Sequence, residues 1–69
     1  MKEIDACGMS CPQPLLMLKS ALNTENSLIL LVDSKNAMEN CTDYAEKQNY
    51  NVSLETHQEI YRLRMEKNK

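Results

Sequence analysis

Hydrophobic and polar positions alternate along this chain with two periods, and the switches between them predict six elements. In residues 2–6 (KEIDA), Ile4 and Ala6 point one way and Glu3 and Asp5 the other, which predicts a short strand. In 12–23 (PQPLLMLKSALN), Leu15, Leu18 and Leu22 recur at i, i+3 and i+7 with Ala21 beside them, the stripe of an amphipathic helix. Pro12 suits a first helical position, where a missing N–H costs nothing, Pro14 still lies in the first turn, and Asn23 can close the helix. Residues 27–33 (SLILLVD) hold five successive apolar residues between polar ones, the pattern of a central strand buried on both faces. Over 35–48, Ala37, Met38, Cys41, Tyr44 and Ala45 make one helical face, with Ser34 or Asp33 as N-cap. Asn49 follows where a left-handed residue is expected. Two alternating runs, 51–56 and 60–65, flank a polar turn at His57, Gln58 and Glu59 and predict an antiparallel hairpin.

The order β-α-β-α-β-β predicts an α+β fold. It is a two-layer sandwich with two helices on one face of a mixed four-stranded sheet, because right-handed crossovers put both helices on the same side. With 69 residues the chain is expected to be one domain, 1–69, burying only about 60% of its unfolded surface. Its stability is then a few kcal/mol. There is no Trp or Phe, so the core is aliphatic and the methionines, Met9, Met17 and Met38 among them, fill its gaps.

Eight basic residues against ten acidic ones give a net charge of −2. The cluster Arg62, Arg64, Lys67 and Lys69 is interrupted by Glu66, so direct nucleic-acid binding is a poor expectation. No apolar run approaches the roughly 18 residues that cross a bilayer, and MKEIDACG has no apolar signal region. Cytoplasmic location and no membrane partner follow as expectations. Three cysteines is an odd number, which in a reducing compartment suggests packed or reactive thiols rather than bridges. No Cys-x2-Cys pair is present among Cys7, Cys11, Cys41 and His57, so neither a metal nor a cofactor is expected.

The chemistry concentrates in Asp5-Ala6-Cys7-Gly8-Met9-Ser10-Cys11-Pro12-Gln13-Pro14. Here a strand ends, the only glycine turns the chain, and Cys11 arrives just before two prolines that open a helix. A helix N-terminus carries about half a positive charge and favours a thiolate by about 0.3–1 kcal/mol, up to about 2. That lowers a thiol pKa of about 8.5 by a few tenths to about 1.5 units. A one-unit drop raises the thiolate fraction at pH 7 from about 3% to about 24%. Because Pro12 and Pro14 supply no N–H, Gln13 and Leu15 are the donors left near the sulfur, and the activation is modest. Such a sulfur can accept a group and release it. Two readings of Cys11 stay open on chemistry alone, a nucleophile or a small packed hydrophobe. Cys7, four residues away, is either packed or a resolving thiol; Cys41 lies on an apolar helix face and reads as core; His57 reads as a solvated turn residue.

The run IDACGMSCPQPLLMLKSAL resembles the TusA/SirA-like sulfur-carrier family, whose hallmark is Cys-Pro-x-Pro opening the first helix after a strand that ends near Asp-x-x-Gly. Those residues are Cys11-Pro12-Gln13-Pro14, with Asp5 and Gly8 upstream and Lys19 down the helix. The family's β-α-β-α-β-β order covers the whole chain, and DSKNAMENCTDYAEKQNY resembles the YedF-like branch associated with selenium metabolism. The family often has Gly before the second strand and after the second helix, where this chain has Asn26-Ser27 and Gln48-Asn49. Cys7 is not part of the core motif. The resemblance implies that Cys11 carries sulfane sulfur as a persulfide. The donor would be a cysteine desulfurase or a rhodanese-like protein, and a downstream acceptor protein would receive the sulfur. Asp5, Gly8, Pro12 and Pro14 would support the loop, and a carrier visiting two partners is expected to be a monomer. The competing readings are a thiol-disulfide switch through Cys7 and Cys11, and a non-catalytic regulatory interaction module.

Overall fold

In a computed structural model of the chain, residues 2–8 and 13–68 are described. Among them the elements run β1 (Lys2–Asp5), α1 (Gln13–Leu22), β2 (Ser27–Val32), α2 (Lys35–Lys47), β3 (Tyr50–His57) and β4 (Ile60–Lys67). The sheet order is β1-β2-β4-β3, with β1 parallel to β2 and the other pairs antiparallel. This is the α+β architecture the pattern predicts.

The core lies between the sheet and the helices. Leu28, Leu30 and Val32 of β2, Leu63 and Met65 of β4, Leu18 of α1 and Cys41 and Ala45 of α2 are all fully buried. Leu15, Leu22, Met38 and Tyr44 pack against this cluster from its margin. Lys19 of α1 sits 5.3 Å from the Tyr44 ring centroid and ties the two helices together. The Tyr50 hydroxyl donates to the Glu25 carbonyl (3.1 Å) and fastens the start of β3 to the α1–β2 connection.

The two-faced burial expected for residues 27–33 holds at Ile29 and only in part at Leu31. Only Leu28, Leu30 and Val32 enter the helix-covered core. Ile29 and Leu31 point to the opposite face, where strand alternation puts them. Their register neighbours there are Glu3 and Arg64, and Asp5 and Arg62. Ile29 still keeps only 9% of its surface exposed, because a central strand is flanked on both sides by long side chains. A continuous apolar run therefore arises here without a second helical layer.

The caps follow the sequence. Ser34 is extended (φ −133°, ψ 147°) and its Oγ accepts the Ala37 N–H at 3.1 Å, closing the α2 N-terminus. Asn49 takes the left-handed conformation (φ 67°) after α2, and its N–H donates to the Glu46 carbonyl. Ser34→Ala should cost about 1 kcal/mol of stability, read as a lower urea midpoint at unchanged slope; an unchanged midpoint would contradict the cap.

The hairpin is tighter than its polar residues suggest. His57 is not in the turn; it pairs with Ile60 as the last rung of β3, leaving Gln58 and Glu59 as a two-residue loop with Gln58 at φ 57°. The ladder runs on because backbone groups, not side-chain polarity, decide where pairing stops. His57 is exposed, with Nε2 3.7 Å from Glu55.

Candidate functional site

Parallel pairing of β1 and β2 puts the carboxyl ends of both strands at one end of the sheet, and each strand is followed in sequence by a helix. The N-termini of α1 and α2 and the tip of the hairpin, where Val32 faces Tyr61, share that end. Two helix dipoles thus direct their positive ends toward the same region.

The loop leaving β1 is fixed by three hydrogen bonds to its successive N–H groups. Ala6 N–H donates to the Leu31 carbonyl (2.8 Å) and continues the parallel ladder one step beyond β1. Cys7 N–H donates to Asp5 Oδ1 (3.0 Å), an Asx turn within the strand's own end. Gly8 N–H donates to Asp33 Oδ2 (2.8 Å), across 25 residues of sequence. Gly8 adopts φ +80°, a conformation a side chain disfavours, although a Cβ there would meet no atom within 4 Å. The glycine is needed for its backbone angle, not for space.

Asp5 and Gly8, expected to support the loop, therefore take part in defined contacts, and Pro14 is among the fully buried side chains, anchoring the first turn of α1 in the core. Cys11 and Pro12 lie outside the described residues, as do Met9 and Ser10. Asp33, considered from sequence only as an alternative N-cap, takes a different place: Ser34 caps α2, and Asp33 instead reaches back to the first loop.

Cys7 is partly buried beside the two carboxylates. Burial first, then its hydrogen bond to Asp5, then the negative charges of Asp5 and Asp33, push its thiol above the ordinary value. Cys7 is consequently held as a neutral thiol and is a weak nucleophile near neutral pH. Its alkylation should rise with pH only above the range of an ordinary thiol. The folded chain holds this proton more tightly than the unfolded chain. The resulting contribution to stability is complete below the unfolded thiol pKa and is lost as pH climbs through the raised folded value. Site-resolved iodoacetamide labelling across pH 6–11 reads the midpoint (about 8.5 for an unperturbed thiol); a Cys7 midpoint at or below that value would contradict the assignment. Cys41, by contrast, is fully buried in the core, as its helical position predicts.

Elsewhere the described surface offers little chemistry. A groove of about 570 Å³ between α1 and the edge strand β1 is lined mainly by Ile4, Leu16, Met17 and Ala21, with Lys2 as its charged residue. Its other polar lining residues are Ser20 and Thr24, and no cysteine or histidine lines it. Arg62 pairs with Glu55 (3.2 Å) and Arg64 with Glu66 (3.1 Å), so the basic run on β4 is largely neutralised where it stands. Among the described residues no group of three or more His, Cys, Asp or Glu could hold a metal ion, and no helix is long and apolar enough to cross a membrane.

Three comparisons bear on this arrangement. The family model described as sulfurtransferase TusA matches residues 2–67. A candidate sulfur carrier protein of Methanocaldococcus jannaschii is 40% identical over 57 residues, spanning 78% of this chain and 76% of that protein. The crystal structure of a SirA-like protein from Desulfitobacterium hafniense superposes with a TM-score of 0.83 at 28% identity, covering 94% of this chain and 95% of the other. With its strand order, its two helices and nearly its whole length matched, this chain belongs to the TusA sulfurtransferase family, a family of sulfur carriers.

Proposed function

We propose that the chain accepts sulfane sulfur as a persulfide on Cys11 and relays it to an acceptor protein. The observation that carries this reading is the placement of the Cys-Pro-x-Pro motif. In sequence, Cys11 stands two residues ahead of Gln13, where α1 begins, and three after Gly8, where the loop from β1 is pinned. A helix N-terminus favours a thiolate. In the reaction the Cys11 thiolate attacks the outer sulfur of a donor persulfide. The donor S–S bond breaks, its electron pair leaves with the donor thiolate, and the outer sulfur stays on Cys11 with a new S–S bond. Delivery repeats the step with an acceptor thiolate attacking the sulfur on Cys11. No net oxidant is consumed in either exchange.

A cysteine desulfurase or a rhodanese-like protein is the donor class, and residues 1–69 act as one domain, as a cytoplasmic monomer that meets donor and acceptor in turn. Asp5, Gly8, Pro12 and Pro14 hold the loop. The environment of Cys7 weighs against the thiol-disulfide alternative, because a thiol kept neutral by burial and by two nearby carboxylates attacks a disulfide or persulfide slowly.

The test is intact-mass measurement after incubation with a cysteine desulfurase and cysteine. The wild type and Cys7→Ser should each gain one sulfur atom and Cys11→Ser none. Loss of the added mass in Cys7→Ser would mean that both thiols are needed and would replace the single-thiol reading.

A further inference from the structure

We propose that Asp33 is a positioning residue of the sulfur-transfer site, its carboxylate clamping Gly8 so that the loop leading to Cys11 is held while Cys7 is kept out of the transfer. The inference rests on the reading of Cys11 given above. Its basis is geometric. Asp33 is the first residue after β2, and Cys7 lies two residues past the last pairing of β1, Asp5 with Leu31. Continuing that parallel register brings Asp33 alongside Cys7 and Gly8, where its Oδ2 accepts the Gly8 N–H at 2.8 Å.

The contact joins the only two strand-to-helix loops of the described sheet end, the one leaving β1 and the one leaving β2. It does so at Gly8, whose φ of +80° lies in the region that favours glycine. Without it, the described part of the loop would keep the bonds of the Ala6 and Cys7 N–H groups, to the Leu31 carbonyl and Asp5, and lose its tie at Gly8. The carboxylate acts in a second way. Asp5 and Asp33 both bear on Cys7, and both disfavour its thiolate. A donor persulfide meeting this end of the protein therefore finds one thiol suppressed by burial and, beside it, by two negative charges. Sulfur deposited on Cys7, within reach of the same loop, would be lost from the relay, so the pair of carboxylates gives the site its choice between two cysteines four residues apart.

Asparagine and alanine separate the two roles. Asp33→Asn keeps an oxygen that accepts the Gly8 N–H but removes the charge; Asp33→Ala removes both. Three readouts on each purified variant decide the matter: hydrogen exchange at the Gly8 amide, the pH midpoint of Cys7 alkylation, and the rate at which Cys11 gains sulfur from a desulfurase. In Asp33→Asn, Gly8 should stay protected, the Cys7 midpoint should fall, and Cys11 loading should stay within about twofold of wild type, since the acceptor is retained. In Asp33→Ala, Gly8 protection should be lost, the Cys7 midpoint should fall as well, and Cys11 loading should drop about fivefold or more, the factor expected for losing one hydrogen bond. A purely structural role would lower melting in Asp33→Ala, where the hydrogen bond is lost, and leave Cys11 loading and the Cys7 midpoint in place. Unchanged Cys11 loading in Asp33→Ala, or an unmoved Cys7 midpoint in Asp33→Asn, would overturn the proposal. If wild-type Cys11 takes no sulfur at all, it is the parent reading that fails; Gly8 exchange and Cys7 titration still report on the clamp by themselves.

Discussion

Replacing Cys11 by serine should reduce sulfur transfer to the rate of uncatalysed exchange while leaving the fold intact. Serine differs from cysteine by one atom, yet its hydroxyl stays protonated at neutral pH and forms no S–S bond. The loss is therefore total in kind rather than a matter of degree. The neighbouring thiol cannot stand in. Cys7 is held neutral by burial and by Asp5 and Asp33, so its reaction with a donor persulfide should be slow at pH 7. The helix start is untouched by the substitution, and Pro14 remains buried beneath it. Circular dichroism of Cys11→Ser should match the wild type; transfer to a small-molecule thiol acceptor, followed as released sulfide, should not. Transfer at the wild-type rate in this variant would move the chemistry to another residue.

The second large effect is on stability. Leu30→Ala should cost about 3 kcal/mol, within the 2–5 kcal/mol typical of emptying a buried leucine site. A 69-residue domain has only a few kcal/mol in total, so a substantial fraction of the variant should be unfolded at 25 °C. Leu30 is fully buried, pairs with Ile4 on one side and Leu63 on the other, and lies under the helices. Leu31, its neighbour in the chain, points to the face without helices and is only partly buried. Leu31→Ala should therefore cost about 1 kcal/mol, set by a smaller area removed from water. Urea titrations of the two variants make the comparison. Equal losses would contradict the unequal burial of Leu30 and Leu31.

That pair of leucines marks where sequence reading succeeds and where it stops. The run at 27–33 is long and branched enough to be a central strand, and it is one. Whether both faces are covered cannot be read from the run, because the flanking charged residues that shield Ile29 come from β1 and β4, far away in sequence. Helices were legible because their apolar stripes repeat locally, and their ends because Ser34 and Asn49 are chemically suited to a cap and a left-handed residue. From sequence the hairpin turn reads as three residues because His57 is polar, although pairing depends on the backbone and His57 is still a rung.

At the site, Asp5, Gly8 and Pro14 were visible as parts of one contiguous motif. Asp33 is not, because its partner Gly8 is 25 residues away and locally Asp33 reads as an alternative N-cap to Ser34. One signal was available. In a parallel pair, residues just beyond the carboxyl ends of adjacent strands are neighbours, and an acid there can reach the N–H groups of the adjoining loop. Cys7 was likewise ambiguous until its two carboxylate neighbours were placed.

One measurement tests the central claim most directly. Wild-type protein is loaded by a desulfurase, its thiols and persulfides are capped with iodoacetamide, and the peptide spanning residues 3–19 is sequenced by tandem mass spectrometry. The account predicts the additional sulfur on Cys11, with Cys7 carrying the cap alone. Additional sulfur found on Cys7, or on neither cysteine of that peptide, would contradict it.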